Sequence, residues 1–106
     1  MKFTIEEMIA KLPLPADAKW KDGVWDLEPL EKNGVRLVFF APRGTDYQTS
    51  HEEDEFYFIV RGSGQLVIDG KPFDCESGDA FLVEANVEHH FENFTDDFAT
   101  WAVFFE

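Results

Sequence analysis

Apolar positions near the start of the chain recur with a helical period and later fall into short strand-like runs, and this change of period divides the sequence. Ile5, Met8, Ile9 and Leu12 stand at i, i+3, i+4 and i+7, with Thr4 placed to cap and Glu7 three residues after it. The spacing predicts one short amphipathic helix ended by Pro13. Leu14 to Gly23 carries Pro15 and mixed charges without a clean period, and reads as a surface connector that Trp20 and Trp25 pin to the body of the fold or to a partner. From Val24 onward, β-branched and aromatic runs alternate with turn residues. The strands predicted are 24–28, 35–41, 55–61, 65–69, 80–84, 88–93 and 98–105. Asn33-Gly34, Arg61 to Gly64 and Asp69-Gly70 supply turns that tolerate positive φ.

Several of these runs are apolar on both faces. Phe56, Phe58 and Val60 oppose Tyr57 and Ile59, so neither face can simply meet water, and two sheets or a homodimer must cover them. The uncharged run Leu37 to Phe40 would invite aggregation on an exposed edge and is expected to be paired or buried. The expected organisation is a single domain over 1–106, with helix and connector over 1–22 and an all-β barrel or sandwich over 23–106.

Composition narrows the function classes. A formal net charge of -13 opposes phosphate backbones and anionic lipid, so nucleic acid and membrane partners are not expected, whereas a bound cation would relieve the repulsion. Apolar runs such as Leu37 to Ala41 fall far short of a membrane span, and no signal-peptide core precedes the helix, which makes a cytoplasmic location the default expectation. Twelve phenylalanines call for an aromatic core. The lone Cys75 excludes an internal disulfide and the usual thiolate zinc site, and reads as a buried free thiol.

The stretch from His51 to Gly62, HEEDEFYFIVRG, carries the chemistry. His51 and Glu55 are four residues apart, an even separation that in extended chain turns both side chains to one face, where they could share an ion. His89 and His90 supply a second histidine-bearing segment. Adjacent strand residues point to opposite faces, so only one of these two can look inward.

Together the two stretches resemble the paired motifs of the cupin superfamily. Gly78, Glu84, Asn86, His89 and Asn93 reproduce the spacing of the second motif, with Glu84 and Asn86 at positions usually held by Pro and Gly. Glu55 to Gly62 matches the latter half of the first motif, and three residues before Glu55 place His51 on its second histidine. Thr49 stands where the family has its first histidine, which removes one customary ligand. The resemblance, over roughly residues 34 to 105, implies a double-stranded β-helix, or jelly-roll cupin barrel, with His51, Glu55 and His89 as metal ligands. Two imidazoles and a carboxylate suit a divalent transition metal: Fe, Mn, Ni or Zn. The family spans dioxygenases, isomerases, lyases and non-catalytic ligand-binding or structural modules, and its fold does not choose among them. A small-molecule ligand or substrate and a homodimer are the partners implied.

Each candidate has an ordinary alternative. His89 could be a hydrogen-bonded wall residue, His51 a surface loop residue, and Glu55 a carboxylate bonded to backbone amides at a strand start. Glu52, Glu53 and Asp54 read as a solvated turn. Gln48 or Thr49 could lend a weak neutral oxygen to the metal, and Tyr57, which shares parity with Glu55, could line the pocket or simply pack. Arg36, Arg43 and Arg61 are the candidates for holding a substrate carboxylate. Ser50 beside His51 has no nucleophile-elbow context.

Overall fold

The computed structural model describes residues 1–46 and 48–106. Helix α1 (Ile5–Lys11) starts where the pattern places it: the Thr4 hydroxyl accepts from the Glu7 backbone N–H at 3.1 Å, and Met8 is buried beneath the helix. Among the described residues eight strands follow: β1 (Asp26–Lys32), β2 (Val35–Phe40), β3 (Asp54–Arg61), β4 (Ser63–Ile68), β5 (Lys71–Glu76), β6 (Ala80–Val83), β7 (His89–Glu92) and β8 (Ala99–Phe105). They form two antiparallel sheets, ordered β1-β2-β8-β3-β6 and β5-β4-β7, which is a jelly-roll barrel. Leu37 to Phe40 sits on β2, paired on both sides, as its composition requires.

Two strand expectations are corrected. The strand expected at 24–28 runs instead from Asp26 to Lys32, because the register shifts between Leu27 and Leu30 and the irregularity accommodates Pro29 on an edge strand. Strand β5 was not expected at all. Its Lys71, Pro72, Asp74 and Glu76 face water on a sheet edge, and Cys75 is its one buried side chain, so it lacks the apolar alternation that marks a strand. The turns do form as expected, with φ of 53° and 82° at Asn33-Gly34 and of 51° and 77° at Asp69-Gly70.

Strand parity builds the interior. Register aligns Arg36, Phe104, Glu55 and Val83 across β2, β8, β3 and β6, and the next inward row is Val38, Ala102, Tyr57 and Phe81. The core between the sheets is aromatic, with Phe40, Tyr57, Phe91, Phe98 and Phe104 buried together. A second apolar cluster lies on the outside of the larger sheet, where Met8 of α1 covers Phe39, Ala41 and Ala99, flanked by Leu27 and Trp101. The helix therefore shields the β1, β2 and β8 side of that face. Toward β3 and β6, Phe56, Phe58 and Leu82 remain 38%, 43% and 48% exposed.

Candidate metal centre

Glu55 is the second residue of β3 and His89 the first of β7, so these two groups approach from opposite sheets. His51 comes from the loop before β3. The parity argument for His51 and Glu55 does not describe the chain, since β3 begins only at Asp54 and a bend occupies Glu52 and Glu53. What places His51 is its backbone carbonyl, which accepts from the Asn86 N–H at 2.6 Å. Asn86 has φ of 66° and Asn93 of 52°, so asparagine holds the left-handed backbone that glycine usually supplies at such bends.

One donor atom from each of His51, Glu55 and His89 lies within 4.8 Å of the others. The His89 and Glu55 side chains are each 2% exposed, with His89 Nε2 3.0 Å from Glu55 Oε1, and His89 Nδ1 donates to the Val87 carbonyl at 2.9 Å. Burial pulls the His89 pKa down, but the hydrogen bonds to Glu55 and Val87 and the nearby charges of Glu55 and Asp46 outweigh it and leave it raised. With Nδ1–H committed to a carbonyl, a proton lies between Nε2 and the Glu55 carboxylate in the metal-free pair. His51 differs: burial, with the neighbouring His89 and Arg36, lowers its pKa despite Glu55 and Glu53. Its Nε2 is buried with no hydrogen-bond partner among the described residues. A neutral imidazole whose Nε2 is buried and unpartnered among the described residues, next to a second imidazole and a carboxylate, fits a divalent cation of the borderline-soft class.

His51 and Glu55 open onto a cavity of about 250 Å³ walled by Trp20, Val38, Phe40 and Phe104, with Thr49 exposed in its rim. Arg36 lies over the Phe104 ring at 4.4 Å, and Phe104 meets the His51 ring edge-on at 4.9 Å between centroids. The guanidinium binds Glu53 through Nε (3.2 Å) and an NH₂ group (2.7 Å), and Glu28 through its other nitrogen (2.8 Å). Glu53 is thus a strut of the rim and not part of a solvated turn, and its pKa is lowered by Arg36. Asp54 likewise belongs to β3, where it accepts from the Ala85 N–H at 2.8 Å.

Of the other candidates, Tyr57 is fully buried with its ring edge-on to His89, and its hydroxyl donates to Gln48 Oε1 at 3.1 Å. Arg43 does not face the cavity: it stacks on Trp25 and donates to the carbonyls of Ala41, Pro42 and Phe98. Arg61 pairs with Glu6 on the helix, away from the site. His90 points outward to Glu92, as strand alternation requires once His89 is inside. Asp46 belongs to the site although neither motif includes it. Its carboxylate accepts from the Gln48 N–H, the Gln48 side-chain amide and the Phe91 N–H, at 2.9, 2.7 and 2.7 Å. No local pattern announces this, because the Phe91 donor is remote in sequence.

Residues 36–105 match the Cupin_2 family, described as cupin domain. The chain is 46% identical over 59 residues to acireductone dioxygenase of Acidiphilium cryptum, a match covering 51% of this chain and 33% of that protein, so the chain spans about a third of that relative's length. It is also 29% identical over 92 residues to an uncharacterised protein of Streptomyces coelicolor, covering 86% of this chain and 88% of the other. A crystal structure of a Cupin 2 conserved barrel domain protein from Salinispora arenicola superposes with a TM-score of 0.66 at 20% identity, over 76% of this chain and 74% of that one.

Proposed function

The chain belongs to the Cupin_2 family of cupin domains, and from that premise we propose that it holds a divalent transition metal (Fe, Mn, Ni or Zn) on His51, Glu55 and His89 and acts on a small organic molecule in the barrel. The observation that carries this reading is the convergence of three donor groups within 4.8 Å, one of them a buried imidazole nitrogen without a partner among the described residues. Such a cation, when bound, supplies Lewis acidity toward a carbonyl, hydroxyl or water oxygen. The protein's own groups do the rest. Trp20, Val38, Phe40 and Phe104 give the ligand an apolar bed and exclude water, while Arg36, held by Glu28 and Glu53, keeps the rim in one geometry. Dioxygenation, isomerisation and lyase chemistry all suit such a site, and the likeness to acireductone dioxygenase favours the first.

Protein purified without chelator or nickel-affinity steps is expected to carry about one metal ion per chain, read by elemental analysis. His51→Ala should weaken binding beyond the roughly 10–100-fold that loss of a supporting outer partner costs. Failure to take up any of Fe, Mn, Ni or Zn on reconstitution would sink the metal reading. Thr49 favours a second reading, a non-catalytic ligand-binding module, because it reduces the set to three donors. A metal-loaded protein that consumes no oxygen with a panel of small organic acids, yet is thermally stabilised by one of them, would select that module.

We also propose a homodimer through the outer face of β3 and β6, where Phe56, Phe58 and Leu82 extend the apolar surface beyond the helix. Among the described residues no helix is long and apolar enough to cross a membrane. Sedimentation velocity at micromolar concentration should show a dimer that Phe58→Glu converts to monomer; a wild-type monomer there refutes the interface.

A further inference from the structure

Gln48 lies beside the donor set, and its hydrogen bonds run in a fixed direction. Three N–H groups converge on Asp46: the Gln48 backbone, the Gln48 side-chain nitrogen and the Phe91 backbone. None of these can accept, so the carboxylate is the acceptor for all three. With its nitrogen committed to Asp46, the Gln48 amide must turn its oxygen toward Tyr57, and the Tyr57 hydroxyl donates to it. A tyrosine has one hydroxyl proton to give. Glu55 stands two residues before Tyr57 on the same inward face of β3 and, like Tyr57, meets His89, through Oε1 to Nε2, so its carboxylate is the second acceptor beside that hydroxyl.

We propose that Gln48 is a positioning residue which, aimed by Asp46, accepts the hydrogen bond of the Tyr57 hydroxyl and so keeps it off Glu55, leaving that carboxylate to a cation. This rests on the metal reading above and adds to it. Gln48 then serves the site without touching the ion, in contrast to the weak direct ligand that its place in the sequence suggested. The direction of the chain is set from outside the donor trio: Asp46 is anchored to the β7 backbone at Phe91, two residues beyond His89. Without Gln48, the Tyr57 hydroxyl has a buried carboxylate as its available acceptor, and a cation would have to displace a charge-assisted hydrogen bond before binding Glu55.

The test is a double-mutant cycle on Ni(II) binding, measured by isothermal titration calorimetry with wild type, Gln48→Met, Tyr57→Phe and the double variant. Gln48→Met should weaken Ni(II) binding by roughly tenfold or more, the scale of a hydrogen bond to a charged group. Tyr57→Phe removes the competing proton, so in that background Gln48→Met should change affinity by less than about twofold. Equal weakening in both backgrounds overturns the proposal, because loop loosening or direct ligation by Gln48 would act whether or not the hydroxyl is present. Gln48→Asn, which keeps an amide but shortens its reach, replaces Gln48→Met if the latter does not fold. A second readout needs no metal. The Tyr57 hydroxyl proton resonance of the metal-free protein should move downfield in Gln48→Met as its acceptor changes from amide to carboxylate, and an unmoved resonance also overturns the proposal. A wild type that binds none of the four metals defeats the metal reading itself, which separates the two failures.

Discussion

Replacing His89 by alanine is expected to lower the stability of the metal-free protein by about 3–5 kcal/mol, the usual cost of removing one partner of a buried ion pair. Both side chains are 2% exposed, and Glu55 would be left facing the interior without its imidazole neighbour. The raised His89 pKa fixes the pH course. A group whose folded-state pKa lies above its unfolded value of 6.5 contributes stability that is complete below pH 6.5 and is lost as pH rises through the folded value. The gap between wild type and His89→Ala, measured by urea denaturation with chelator present, should therefore be widest in mild acid and narrow in alkali. Pairing the change with Glu55→Gln should recover part of the loss, since the stranded charge and not the missing ring is the main cost. Metal should act in the opposite sense. At about 100 times its dissociation constant it stabilises wild type by about 2.7 kcal/mol, and His89→Ala should not respond. A variant as stable as wild type in mild acid would show that the pair carries no such energy.

The legible and illegible parts of this chain differ for physical reasons. Strands β2, β3 and β8 are read easily because Phe, Val, Ile and Tyr alternate in and out of a barrel, and the Asn-Gly and Asp-Gly turns announce themselves by the backbone they permit. Strand β5 is held by its register to β4 and not by its own apolar face, so composition cannot reveal it. At the site, the placement of His51, Glu55 and His89 in one cluster follows from spacing within two motifs, yet the parity argument for the first pair fails: the loop reaches the site through Asn86, not along a strand. Glu53 illustrates the opposite error. In sequence it is one of four consecutive acids, and in space it is the partner that Arg36 selects from a strand seventeen residues away. The roles of Asp46 and Gln48 depend on which amide end faces which neighbour, a property that exists only after folding.

Phe91→Ala is expected to cost about 3–5 kcal/mol as well, here by opening a cavity, and to lower the melting temperature by on the order of 20 °C. Phe91 is 1% exposed and belongs to the smaller sheet, while its ring meets Tyr57 at 4.8 Å and 73° from the larger one. It also meets Phe98 at 4.9 Å and Phe40 at 6.3 Å. Removing it deletes the buried ring together with edge and tilted aromatic contacts worth about 0.5–1.5 kcal/mol per pair beyond burial. Phe91→Leu keeps most of the volume and should recover much of the stability, whereas a cost near 1 kcal/mol for Phe91→Ala would mean that the sheets are held together elsewhere. The consequence extends to the donor set, because Tyr57, which meets His89, leans on this ring. Metal affinity should fall in Phe91→Ala even under conditions where the variant is fully folded, and recover in Phe91→Leu: one aromatic side chain both closes the barrel and supports the Tyr57 ring beside the donor set.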